Sequence, residues 1–210
     1  MALATMLAVA GLTSACGSGS SGAVGSAGQG AQIAGTQPAA DSPAAAAAGA
    51  VTASPLARSA PVRLLIPSIG VDTSVMRLGL AADGTVQVPP IAANAPAGWY
   101  DGSPTPGQTG PSVILAHVTV GRYGNGVFLH LSRLRPGDRI TARLADGASA
   151  VFSVDRVQTV PKAQFPTRAV YGNVDRPELR LITCGGPRNG SGGGYLDNVV
   201  VYASLVSSAR

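Results

Sequence analysis

"RITARLADGASAVFSVDRVQTV", residues 139–160, holds two β-rich runs joined through "ADGA". Asp-Gly flanked by such runs is a strong short-range hairpin signal, because both residues tolerate the positive φ that a tight hairpin turn requires. The stretch "RPGD", 135–138, is a second turn just upstream. Before it, 129–134 is compatible with one helical turn. This hairpin sets the pattern for the chain on either side.

Upstream, "PVRLLI" (61–66) is an extended run broken by Pro67, and a second apolar run starts at Val71. "GTVQVPP" (84–90) alternates after an Asp83-Gly84 turn and is predicted as a short strand. The segment 95–112 is dense in Gly and Pro and is predicted as loop, with Trp99 and Tyr100 as anchors. "SVILAHVTV" (112–120) is a buried β-rich strand. Downstream, "PKAQFPTRAVYGNVDRPE" (161–178) reads as loop or a short helix. "LRLITC" and "DNVVVYASLV" supply the closing strands. About eight short strands with little helix and many turn residues predict an all-β barrel.

The chain has 210 residues, and its composition breaks once. Asp41 is the only formally charged side chain before Arg58, so residues 58–210 are the expected folded domain. At roughly 150 residues this segment is long enough for one sizeable core. Residues 17–57, rich in Ala, Gly, Ser and Pro, have the composition of a disordered linker. "MALATMLAVAGLTSAC" (1–16) has the outline of an export signal, and "LTSAC" followed by Gly17 is similar to a lipobox, with Cys16 as the lipidated residue. The alternative is an ordinary cleaved signal and a secreted product. The net charge of +5 comes from scattered arginines with a single lysine, Lys162. Without clusters or interleaved aromatics this argues against nucleic acid and suits an anionic envelope.

If Cys16 is lipidated or removed, Cys184 in "LITCGG" has no disulfide partner. A lone thiol at a strand end beside glycines is a candidate nucleophile, provided a base can take its proton. His117, between a strand and a Gly-rich loop, is the candidate partner. His130, between Leu129 and Leu131, is expected to pack or face solvent. One domain cysteine and two histidines lack the ligand spacing of a zinc site. Asp175 and Glu178 make a poor calcium cluster, and no phosphate-cradling loop is present, so neither metal nor cofactor is expected.

"LITCGG" followed by "GGYLDNVVVYA" resembles the end of a sortase, of the actinobacterial class F. "AGWYDGSPTPGQTGPSVILAHV", "GVFLHLSRLRPGDRITARLADGASAVFSVDRVQTVPKAQFPTRAVYG" and "PELRLITCGG" follow that family's order and spacing from about Val62 to Leu205. The resemblance implies a closed eight-stranded β-barrel with one or two short helices, and makes residues 58–210 the catalytic domain of a cysteine transpeptidase. Such an enzyme cleaves an LPxTG-like sorting signal, holds the acyl part as a thioester on Cys184, and passes it to an amine on peptidoglycan or a pilin. His117 then exchanges a proton, and Ile182, Thr183 and Asn198 contact substrate. It also implies an arginine that steadies the oxyanion. The strand after the cysteine strand begins Leu196-Asp197-Asn198 and has no arginine where many sortases carry one. Two candidates remain. Arg180, four residues before Cys184, shares its face of the strand and is the first choice. Arg188, in the following loop, is the second. Ala116 and Thr119 also depart from the family, which usually shows Gly and Asp there. The competing reading is a non-enzymatic β-barrel surface lipoprotein that binds envelope components, with Cys184 buried and inert.

Overall fold

The hairpin at 139–160 is one quarter of a closed eight-stranded barrel. The structure, a computed structural model, describes residues 53–190 and 194–210. Cys16, the signal-like segment and most of the linker lie outside these residues. The strands are β1 (Pro61–Ile66), β2 (Val71–Leu78), β3 (Ala97–Tyr100), β4 (Gly110–Leu115), β5 (Arg139–Leu144), β6 (Ser149–Pro161), β7 (Pro177–Arg188) and β8 (Tyr195–Ala209). One five-residue helix, α1 (Thr167–Tyr171), and four single 3-10 turns complete the described elements. The barrel order is β1-β2-β3-β4-β7-β8-β6-β5, closed by antiparallel pairing of β1 with β5. The expected closed eight-stranded barrel with little helix is what forms.

Two neighbour pairs, β2–β3 and β4–β7, are parallel, and the rest are antiparallel. Parallel neighbours cannot be joined by a tight turn and need a long crossover. Residues 79–96 make the β2–β3 crossover as a strap without strand structure of its own. The alternating stretch 84–90 lies in it and is not a strand; only an isolated bridge, Leu80 to Val86, is formed there. Conversely, Ala97–Tyr100, read as loop, is β3. Its partner β2 is distant in sequence, so local turn chemistry hid it.

The barrel interior is filled by one apolar cluster that includes Leu64, Ile66, Trp99, Ile114, Phe128, Ile140, Phe152, Leu181 and Val201. A second cluster lies outside the wall formed by β4, β7 and β8, where Val113, Leu115, Ile182, Val200 and Tyr202 meet Val170 of α1. β4 and the first seven residues of β7 are therefore buried on both faces. Strands of that kind read as continuous apolar runs rather than alternating ones, as "VILA" and "LRLIT" do. Within the stretch expected as linker, Ala53 and Leu56 touch the domain. Leu56 packs against the core, and its N–H donates to the Gly107 carbonyl at 2.8 Å.

Candidate active site

The outer face of the β4–β7 pair carries the candidate residues. The parallel register sets Leu115 beside Ile182, and the Ala116 N–H continues it by donating to the Ile182 carbonyl at 3.2 Å. One more step along both chains brings His117 beside Cys184. Neighbouring strands lie ~4.8 Å apart, so the two side chains emerge close together. Thr183 pins this junction, its hydroxyl donating to the Ala116 carbonyl at 2.7 Å. β4 itself stops at Leu115, so His117 sits just past the strand end rather than within it. β7, by contrast, does not end at Cys184; it runs on to Arg188.

Cys184, His117, Ile182, Thr183 and Asn198 all line one cavity of about 550 Å³. Asn198 is the β8 partner of Cys184 in register. Three of its walls are apolar: Val86, Val88 and Pro89 of the strap, Phe165 before α1, and Tyr171 at its end. The Tyr171 ring stands edge-on to Tyr100 and tilted against Phe165, each at 6.3 Å between centroids. Burial, and then the neighbouring Tyr100, hold the Tyr171 hydroxyl above its ordinary pKa. This is a half-covered apolar trough with a thiol and an imidazole at one end.

The strap reaches the imidazole directly. His117 Nε2 lies 2.7 Å from the Pro89 carbonyl. A carbonyl only accepts, so Nε2 carries a hydrogen and the ring orientation is set by this bond. Gly126 backs His117 from the other side, where a Cβ would run into the His117 backbone carbonyl. His130 heads a 3-10 turn at Leu131–Arg133 and does not line the cavity.

The two candidate arginines separate in the structure. Arg180 does share the outward face of Cys184, but that face is covered at its position. Its side chain is 4% exposed, and its Nη2 is ion-paired with Glu178, itself 6% exposed. The remaining donors reach the carbonyls of Leu179 and of Ala169 in α1, both at 3.3 Å. The guanidinium also stacks 4.7 Å from the Tyr202 ring centroid. Arg180 thus fastens α1 to the barrel wall, and it is absent from the cavity lining. This counts against the first-choice reading of Arg180 as the oxyanion donor, since each of its three guanidinium nitrogens already has a partner away from the cavity.

A stability prediction follows from this clamp. Removing one partner of a buried ion pair strands the other charge and typically costs ~3–5 kcal/mol. Arg176 also holds Glu178, at 2.5 Å, so Arg180→Met is expected at the low end, about 3 kcal/mol. Urea denaturation monitored by tryptophan fluorescence, with m unchanged, measures it. A shift of the midpoint worth under about 1 kcal/mol would contradict the clamp.

Arg188 lies four residues beyond Cys184 on β7 and is likewise absent from the lining of this cavity. A register shift between Gly185 and Arg188 brings Arg188, rather than Pro187, opposite Tyr195. Gly186 allows the bulge: its φ is +71°, and a Cβ there would overlap the Asp197 carboxylate. Arg188 Nη2 donates to the Tyr195 hydroxyl at 2.9 Å and to Thr119 Oγ1 at 3.4 Å. That hydrogen bond is the main cause holding the Tyr195 hydroxyl below its ordinary pKa. Tyr195 in turn lines a second cavity together with Cys184. Leu196, 45% exposed, lies two residues from Asn198 on β8 and so shares the side of the strand that meets Cys184.

Among the described residues no helix is long and apolar enough to cross a membrane. The family model for the Sortase domain matches residues 64–206. Solved structures with similar folds include Streptococcus pneumoniae Sortase C, 20% identical with a TM-score of 0.52, covering 70% of this chain and 67% of that one. Sortase A from Corynebacterium diphtheriae is 20% identical with a TM-score of 0.54, covering 72% of this chain and 62% of its own. Sortase C-1 from Actinomyces oris is 22% identical with a TM-score of 0.51, covering 70% and 75%. These identities establish likeness of fold. No curated protein sequence matches the chain. The Sortase domain match runs over more than half of the chain and takes in the whole β4–β7 site, and the chain therefore belongs to the sortase family.

Proposed function

We propose that this protein is a class F-type sortase, a cysteine transpeptidase working at the extracytoplasmic face of a bacterial membrane. The observation that carries the reading is the pairing of Cys184 and His117 at the mouth of one apolar trough, in a chain of this family. The substrate is a protein bearing an LPxTG-like sorting signal, and the acceptor is an amine on peptidoglycan or a pilin. Attachment through the N-terminal segment, by lipid at Cys16 or by a signal anchor, belongs to the same proposal.

The chemistry needs two steps, and each uses groups already described. The Cys184 thiol passes its proton to the His117 imidazole as its sulfur attacks the scissile carbonyl, and His117 hands that proton to the leaving amine as the C–N bond breaks. The acyl chain stays in the trough against Phe165, Tyr171 and Ile182. An incoming amine then displaces the sulfur. The competing reading, an inert binding barrel, is disfavoured by the exposure of Cys184, which is half-buried on the cavity wall rather than sealed in the core. The direct test is to incubate the full chain with a library of LPxTG-like peptides and triglycine, and to read acyl-enzyme and products by mass. An acyl adduct that maps to Cys184 is expected. Absence of any adduct together with an unreactive native thiol would defeat the proposal.

For the oxyanion we favour Arg188 over Arg180. It is the remaining candidate arginine, and its partner Tyr195 shares a cavity wall with Cys184. Losing a transition-state donor costs about 10²–10³-fold in turnover, and Arg188→Ala is expected in that range. Arg188→Lys should recover little, since an ammonium cannot reproduce the planar fork. Steady-state kinetics on the best library peptide checks both. A near wild-type rate for Arg188→Ala would move the role to backbone N–H groups or to Asn198.

A further inference from the structure

Six large apolar side chains are exposed among the described residues, and four of them, Val88 (64%), Ile91 (57%), Leu196 (45%) and Tyr123 (44%), belong to one end of the barrel. The register fixes which end. β4, β6 and β7 leave the barrel, and β3 and β8 enter it, where the trough opens beside Cys184. Isolated exposed apolar residues are ordinary on a protein surface, but a group of them rimmed by polar residues marks an interaction site. We propose that this end of the barrel docks on an anionic lipid surface, with the mouth of the trough turned toward the membrane. The inference rests on the membrane-face reading above and adds which face of the domain meets the lipid.

Contacts join the group into one surface. Val88 lines the trough itself. From the strap, Ile91 reaches the loop after β4, where a Cβ on Gly121 would lie 3.6 Å from the Ile91 Cγ2 methyl. Next in that loop, the Arg122 guanidinium lies 4.9 Å from the Tyr123 ring centroid and donates to the Tyr123 hydroxyl at 2.7 Å. Arg188 carries the surface across to β8 through its bonds to Thr119 and Tyr195, the latter next to Leu196.

The charge on this end selects the partner. Segments 86–96, 116–134, 159–166 and 185–190 contain no carboxylate. They carry Arg122, Arg133, Lys162 and Arg188, all exposed. Asp197 at the start of β8 offsets one of these four charges. An anionic headgroup layer attracts such a set at short range. A soluble polyanion would attract it too, but would leave Val88, Ile91 and Leu196 in water. A lipid interface accepts both kinds of group, apolar side chains below the headgroups and arginine or lysine at the phosphates. It also suits a tyrosine, with its ring buried and its hydroxyl wet.

The test places tryptophan at single sites of the full chain. It reads quenching by dibrominated lipid in vesicles of phosphatidylcholine with about 30% phosphatidylglycerol. Trp99 is 3% exposed and gives a constant background. Ile91→Trp and Tyr123→Trp are expected to lose about half or more of the added emission. Val62→Trp, at an exposed site where β1 begins at the opposite end, should lose almost none. Arg122→Glu, Arg133→Glu and Lys162→Glu together should lower the quenching of Ile91→Trp about threefold or more, as should vesicles of phosphatidylcholine alone. None of these three cations lines the trough, so turnover of a soluble sorting peptide should stay at the wild-type rate. Equal quenching at 62 and 91, or none at 91 and 123 in a chain that sediments with the vesicles, would overturn the docking face. Quenching that ignores both phosphatidylglycerol and the charge reversal would overturn the choice of anionic lipid. An Ile91→Trp emission that responds to soluble polyphosphate and not to vesicles would give the face to an anionic polymer instead. A chain that does not sediment with vesicles at all would overturn docking and membrane attachment together. Quenching needs no turnover, so a failure to cleave any sorting peptide would remove the transpeptidase reading and leave the docking face standing.

Discussion

Cys184→Ala is expected to abolish both cleavage and transfer, a loss of at least about 10⁴-fold that falls below detection. The reason is chemical rather than structural. No second thiol lines the cavity, and of its hydroxyls Thr183 is committed to the Ala116 carbonyl, Thr85 donates to Asp83, and the Tyr171 phenol is held above its ordinary pKa. The fold should survive. Cys184 is half-buried at the cavity wall, and removing one sulfur there should cost about 1 kcal/mol or less. Mass spectrometry for the acyl adduct and a urea titration separate the two effects. An adduct or product from the alanine variant would remove Cys184 from the mechanism, and a large stability loss with no change in the folded fraction's activity would recast it as a core residue.

His117 carries the second large effect. Proton transfer by a placed side chain contributes about 10²–10⁴-fold, and His117→Ala should lose that factor in kcat/KM. His117 also has a second contact, because its Nε2 holds the Pro89 carbonyl of the strap. His117→Gln separates the two jobs. The glutamine amide can donate to Pro89 but cannot shuttle a proton, so it is expected to be as poor as alanine. Recovery with glutamine to within a few fold of wild type would mean that His117 serves to hold the strap. His130→Ala, away from the cavity, should stay within about twofold, as surface changes remote from a site do.

The local signals in this chain were read correctly where the physics is local. Asp146-Gly147 and the flanking runs became the β5–β6 hairpin, and Pro67 ended β1, because turn dihedrals and proline geometry are properties of a few consecutive residues. Cys184 and His117 stood out as candidates by residue type and neighbouring glycines, and the motifs around them carried the family, but only His117 lies at a strand end, since β7 runs on past Cys184 to Arg188. What the sequence could not decide were the pairings across distance. β3 is hidden in the sequence because its four Gly- and Pro-flanked residues are a strand only through their partners β2 and β4. The alternation at 84–90 promised a strand, but as the crossover between those two parallel strands the segment has no edge to join and instead supplies a carbonyl to His117.

The arginines show the limit most clearly. Period-two alternation correctly set Arg180 on the face of Cys184. It could not say that α1 covers that face at 180 and leaves it open at 184, since the covering comes from a helix packed across the strand. Nor could it anticipate the bulge at Gly186, which adds one residue to β7 and carries Arg188 opposite Tyr195. The composition and turn chemistry of the chain determined an all-β domain that carries a lone thiol and an imidazole. The parallel β4–β7 register, a contact between residues 67 apart in sequence, is what set them side by side, because only closure of the barrel brings those two edges together.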